Sequence, residues 1–203
     1  MDLKQKIAIG LPPVLFIVMY AVYQGFALLL GNEFGWYVGF AVYWPVFCVL
    51  IPIFLVGSSS IIERYKLVKI ETGYLLFFLF PVFMTLIGGF FMNQPEREFN
   101  EVLLWVGMSL GNGVFEEILW RGVYPVLFPD SKFFGFIWPS VWFSIWHFAP
   151  GSLGKNFSPV VLVSGALMLG LCFGWGAFRS SSLFWASVGH SLSGLFQLFW
   201  NLY

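Results

Sequence analysis

The chain has 203 residues, 59% of them hydrophobic and only 10% charged, with a net charge of zero and a mean hydropathy of +0.84. A water-soluble domain carries about 25% charged residues, so the composition excludes one and points to the bilayer as solvent. The absence of a basic patch or net positive charge excludes a nucleic-acid partner.

Apolar runs approach the ~20 residues that cross ~30 Å of hydrocarbon at Ile7–Leu30, Trp36–Val56, Tyr74–Phe91, Val102–Phe128, Phe133–Ala149, Pro159–Phe178 and Leu183–Tyr203. In lipid every backbone group must find its partner within the protein, so these runs are expected to be helices. The expected fold is all-α: a polytopic transmembrane bundle of about seven spans forming a single membrane domain over residues 1–203. Prolines at 12, 13, 45, 52, 81 and 125 predict bends. Lys4 and Lys6 before the first run raise the possibility of a signal peptide. That run is about twice the usual ~7–15-residue core and no small-x-small cleavage site follows, so it reads as the first helix of the bundle. Cys48 and Cys172 lie in apolar runs without metal-ligand spacing and read as packing residues.

Orientation follows from the cations. Lys4, Lys6, Arg64, Lys66, Lys69, Lys132 and Arg179 share one side of a seven-span arrangement. Arg97 and Lys155 fall on the other, with Glu33, Glu96, Glu98 and Glu101. The cationic side is read as cytoplasmic, with the N-terminus inside and the C-terminus outside.

Within the predicted spans the ionisable Asp, Glu, Lys, Arg and His residues reduce to Glu116, Glu117, Arg121, His147 and His190. A charge at the bilayer centre costs at least ~2.5–3.5 kcal/mol on insertion scales, and such residues mark functional interiors by default. Glu117 and Arg121 are spaced i,i+4 with the acid first, the favourable order for an intrahelical ion pair. Glu116 points about 100° away, with Asn112 one turn before it. A carboxylate in that setting suits general-base chemistry. Counting from the cationic ends of their helices, Glu116 lies ~18 Å deep, His147 ~21 Å and His190 ~11 Å. All three are therefore expected at one polar cavity, opening to the cytoplasmic side. His190, Ser193, Gly194, Gln197 and Asn201 repeat at helical spacing as an inward polar stripe. Asn112 and Gln197 read as partners for buried polar atoms, and the Trp138, Trp142, Trp146 row as a packing or interfacial stripe.

The segments EEILWR (Glu116–Arg121), FSIWH (Phe143–His147) and SVGHSLSG around His190 resemble the EExxxR, FxxxH and HxxxN-type motifs of the CPBP (ABI) family of intramembrane endopeptidases. That family includes type II CAAX prenyl proteases and bacterial bacteriocin-processing and immunity proteins. The resemblance covers residues 102–203. It implies that Glu116 with His147 activates a water for attack on a peptide carbonyl, that Glu117 and Arg121 support them, and that His190 lies on the oxyanion side. It also implies a multi-pass protein of a prokaryotic cell membrane, with lipids and a peptide or protein substrate as partners. Gly194 departs from the pattern, since asparagine stands there in the prenyl proteases; loss of one oxyanion donor typically costs ~10²–10³ in rate.

The resulting expectation is an intramembrane endopeptidase cleaving a membrane-associated or hydrophobic peptide by glutamate-activated water, with no requirement for prenylation assigned. The alternative is a non-catalytic immunity or regulatory scaffold. A proton-coupled transporter is a further reading, opposed by the absence of an inverted repeat. No cofactor is expected; zinc is the alternative, since one Glu and two His form a plausible ligand set, although no HExxH pair is present.

Overall fold

The structure, a computed structural model, describes residues 1–67, 69–90, 98–154 and 159–197. Glu96, Arg97, Lys155 and Asn201, singled out in the sequence, lie outside the described residues. Among those residues the chain is helical, with no strand. The helices are α1 (Leu3–Leu30), α2 (Asn32–Val56), α3 (Ser58–Tyr65), α4 (Thr72–Phe90), α5 (Phe99–Leu127), α6 (Trp138–Trp146), α7 (Phe148–Gly151), α8 (Pro159–Ser180) and α9 (Leu183–Phe196). A π-helical turn, Phe133–Ile137, leads into α6.

Each apolar run of the sequence is helical over its described residues apart from Phe128 and the turn at His147. Four helices, α1, α2, α5 and α8, are long and apolar enough to cross a membrane by length and composition, whereas the apolar stretch of α4, Thr72–Gly88, is shorter. The expected number of about seven spans therefore reduces to four that meet these criteria among the described residues. The outer surface is apolar, with residues such as Leu28 and Leu29 at 87% and 78% exposure, as a lipid-facing surface requires.

Local chemistry sets the ends of these helices. Asp2 and Gln5 form a capping box that starts α1, at 2.8 and 3.0 Å. Gly31 (φ +84°) and Gly57 (φ +81°) turn the chain from α1 to α2 and from α2 to α3 without a connecting loop. Such left-handed backbone carries little penalty only in glycine.

Helix α3 falls where the sequence suggested only a cytoplasmic loop. Its Tyr65 hydroxyl donates to the Val114 carbonyl and lies 2.9 Å from Ser187 Oγ, and Arg64 donates to the carbonyls of Arg121 and Ala177 at 3.4 and 3.2 Å. Burial pushes the Arg64 guanidinium down to about 10 and raises the Tyr65 phenol. Gln5 Nε2 donates to Leu127 O at 2.8 Å, and Arg179 donates to the Tyr74 hydroxyl. These bonds gather the start of α1, the end of α5, α3, the start of α4 and the end of α8 at one face, the face bearing Lys4, Lys6, Arg64, Lys66, Lys132 and Arg179. At the other face Gln24 bonds Ser152 and Asn32 bonds Leu153.

Helix α9 packs against α5 and α4, and α8 packs against α6 and α4. Small residues permit the close approaches that membrane helices depend on. A Cβ at Gly113 would come within 2.6 Å of the Ser191 backbone nitrogen and 2.9 Å of the Ser187 carbonyl. Glycine is therefore what allows α5 and α9 to touch backbone to backbone, one turn before Glu116 and Glu117. Ser140 Oγ bonds the Gly170 carbonyl at 2.7 Å and ties α6 to α8 in the same way.

Gly113→Ala is expected to destabilise the bundle by ~1–3 kcal/mol through overpacking, read as a lower thermal midpoint in detergent micelles. Gly107→Ala on the same helix, where a Cβ would meet nothing within 4 Å, serves as control and should hold or raise the midpoint. Equal midpoints for the two variants would contradict the α5–α9 contact.

Candidate active site

Helix α5 changes from α-helical geometry (Phe99–Glu117) to a π-helical turn (Ile118–Val123) directly after the two glutamates. Such turns recur at functional sites. Glu116, Glu117 and Arg121 are all buried, with 1%, 0% and 1% of their surface exposed.

Arg121 Nη1 donates to Glu117 Oε1 at 2.9 Å, as the spacing predicts. The same oxygen lies 2.8 Å from His190 Nδ1. A carboxylate paired with arginine only accepts, so Nδ1 of His190 carries the proton. Glu117 is therefore not confined to the ion pair, the sole partner the sequence gave it; it also orients His190. His190 Nε2 is left facing Glu116 Oε2 at 3.7 Å.

Glu116 is held by a residue that the sequence reading assigned to packing. Trp146 Nε1 donates to Glu116 Oε1 at 3.0 Å, and its ring stacks on Tyr43 with centroids 4.0 Å apart. The Tyr43 hydroxyl in turn accepts from Trp120 Nε1 at 2.9 Å. Trp138 and Trp142 do pack on one another, at 5.7 Å, but Trp146 turns inward. The available signal was chemical: a buried indole N–H needs an acceptor, and Trp146 stands beside His147. Oε2 of each glutamate has no hydrogen-bond partner among the described residues.

His147 ends α6. Its Nδ1 lies 2.6 Å from the Phe143 carbonyl; a carbonyl only accepts, so Nδ1 bears the proton and Nε2 the lone pair. The fully buried Phe143 ring joins the cluster. It lies 4.6 Å from the His147 ring and 5.7 Å from that of His190, and the Arg121 guanidinium sits 4.2 Å from its centroid, within cation–π range. Phe143 is thus a structural hub as well as a motif residue.

His147 and His190 line one cavity of about 580 Å³. Its walls are mostly apolar, with Ser109, Asn112 and Gln197 adding polar groups, and Glu116 is not among its lining residues. The cavity draws on Trp36, Gly88, Trp105, Gly154 and Gln197, residues of the helix ends away from the cationic face. This differs from the expectation of a polar cavity opening on the cationic side. The lysines and arginines mark one end of the bundle, whereas the gap between helices lies toward the other. Gln197 and Gly194 share the cavity wall, and a Cβ at Gly194 would come 3.1 Å from Ser109 Cβ. A glycine there lets α9 lie against α5 at Ser109.

Among the described residues no group of three or more His, Cys, Asp and Glu is arranged to hold a metal ion. Glu117 Oε1 is shared by Arg121 and His190, and Glu116 Oε1 is engaged by Trp146.

The family model for Type II CAAX prenyl endopeptidase Rce1-like proteins matches residues 98–196. The match spans α5 to α9 and includes Glu116, Glu117, Arg121, His147 and His190. No curated protein and no solved structure matches the chain.

Glu117→Gln leaves Arg121 buried without its counter-charge, a loss expected to cost about 3–5 kcal/mol. The measurement is the yield and thermal midpoint of the protein extracted from membranes. The double variant Glu117→Gln, Arg121→Gln should recover part of that loss; a double variant as unstable as the sum of the two single ones would show that the pair is not coupled.

Proposed function

Because the chain belongs to the Rce1-like family of type II CAAX prenyl endopeptidases, within the CPBP (ABI) intramembrane proteases, we propose that it hydrolyses a peptide bond in a membrane-associated or hydrophobic peptide, with Glu116 as the general base. The observation that carries this reading is the state of Glu116. Its carboxylate is buried, one oxygen is fixed by Trp146, and the other faces His190 without a hydrogen-bonded partner among the described residues.

In the proposed reaction Glu116 Oε2 takes a proton from water, and the resulting hydroxide attacks the peptide carbonyl. The tetrahedral intermediate expels the amine, which receives that proton from Glu116. General-base catalysis of this kind contributes about 10²–10⁴-fold. His147, with its lone pair on Nε2 in the cavity wall, assists in positioning the water. His190 reaches the same volume through Nε2 and serves the oxyanion when that nitrogen carries a proton. Arg121 pairs with Glu117, and Glu117 keeps the His190 ring aimed. The reading routes the reaction through Glu116 without zinc, which stays the alternative that a chelator distinguishes. The largely apolar cavity supports a hydrophobic substrate segment, and the reading assigns that segment no lipid modification.

Glu116→Gln retains shape and the Trp146 contact but removes the base, and should lower peptide cleavage by at least ~10²-fold with membrane abundance unchanged. A well-folded Glu116→Gln protein that cleaves at the wild-type rate would refute the assignment. Trp146→Phe preserves the stack on Tyr43 and removes one hydrogen bond to a carboxylate, worth ~1.5–3 kcal/mol. It should lower kcat about 10–100-fold with KM little changed, whereas a purely structural role would lower the amount of folded protein instead.

A further inference from the structure

A tetrahedral intermediate places negative charge on the former carbonyl oxygen, and hydrogen-bond donors pre-aimed at that position supply a large part of the catalysis. Within the wall of the histidine-lined cavity, Trp105 donates to the Gly194 carbonyl, and the proton of His147 is directed to Phe143. These groups are committed elsewhere. Asn112 is not.

Asn112 is half-buried and lines the same cavity as His147 and His190. Its amide orientation is fixed by chemistry: Trp44 Nε1 lies 3.1 Å from Asn112 Oδ1, and an indole nitrogen can only donate. The oxygen must therefore face Trp44, which leaves the NH2 group on the other side with two donors, and no described residue accepts from it. Trp44 is itself held firmly. Its ring lies over the backbone at Gly111, where a Cβ would come within 2.8 Å of Cζ2, and packs on Phe115 at 5.3 Å.

The level of Asn112 in the bundle is equally defined. Ser109 on α5 opposes Gly194 on α9, and Gly113 opposes Ser191. Asn112 falls between these two contacts, beside the turn that carries His190 and one turn before Glu116.

We infer that the Asn112 side-chain amide is an oxyanion donor of this site, held in its donating orientation by Trp44 as a positioning residue. The inference rests on the hydrolytic reading above. It also accounts for how a glycine can stand at position 194 beside a working centre: the donor comes from α5 instead of α9.

The test measures cleavage of a hydrophobic peptide by the purified protein, together with the affinity for a phosphinic peptide whose tetrahedral centre mimics the intermediate. Asn112→Leu and the isosteric Asn112→Asp should each lower kcat by ~10²–10³-fold with little change in KM, and should weaken the phosphinic peptide by a similar factor while leaving substrate affinity near wild type. Trp44→Phe frees the amide to rotate and should give a smaller loss with the same kcat-selective signature. If Asn112→Leu does not fold, Asn112→Asp and Trp44→Phe carry the test. Wild-type kcat in a folded Asn112 variant, or equal weakening of substrate and phosphinic peptide, overturns the inference. Absence of cleavage by the wild-type protein would instead refute the hydrolytic reading, so the two failures are distinguishable.

Discussion

One carboxylate oxygen organises the interior of this protein. Glu117 Oε1 accepts from Arg121 at 2.9 Å and from the His190 ring at 2.8 Å, with both glutamates, the arginine and His190 almost wholly removed from the surface. A charge in that environment is tolerated only when it is paired and hydrogen-bonded. The pair therefore fixes more than its own geometry. It joins α5 to α9, sets which nitrogen of His190 carries its proton, and turns the other toward Glu116. With Glu117 occupied in this way, Glu116 is the carboxylate left available for chemistry.

The apolar framework makes that arrangement possible by bringing backbones into contact. Gly113 against Ser191 brings the glutamate turn of α5 up to the histidine turn of α9, and Ser140 against Gly170 seats α6 on α8. Phe143 then fills the space between Arg121 and the two histidines, and Trp146 reaches across to Glu116 from a stack on Tyr43. The helices that carry the site residues, α5, α6 and α9, lie in the family-matched region, but Tyr43 and Trp44 come from α2, outside residues 98–196. The N-terminal helices are thus part of the site's support as well as its membrane anchor.

Much of this was legible in the sequence because charge is so costly in lipid. Five ionisable residues in a chain with few charges marked out the buried polar cluster, and the i,i+4 spacing of Glu117 and Arg121 gave their pairing. The second bond of Glu117 was not legible, since it depends on how α9 is rotated against α5, which no periodicity along either helix specifies. Trp146 was hidden by its place in a regular tryptophan row; only tertiary packing separates the one that turns inward from the two that meet edge to face. Helix α3 was missed because its polar residues and charges read as a loop, whereas Tyr65 and Arg64 satisfy carbonyls of the bundle. The direction of the cavity was misjudged for a related reason: cations report where the bundle meets an anionic surface, not where its helices separate.

The central claim is that a buried glutamate activates water for peptide hydrolysis while the neighbouring glutamate serves as an organising anion. Cleavage of a hydrophobic peptide by the purified protein, followed with and without a strong chelator, tests it most directly. The account predicts the same rate in both conditions. Cleavage abolished by the chelator and restored by Zn²⁺ would contradict it, because the chemistry would then belong to a metal rather than to Glu116.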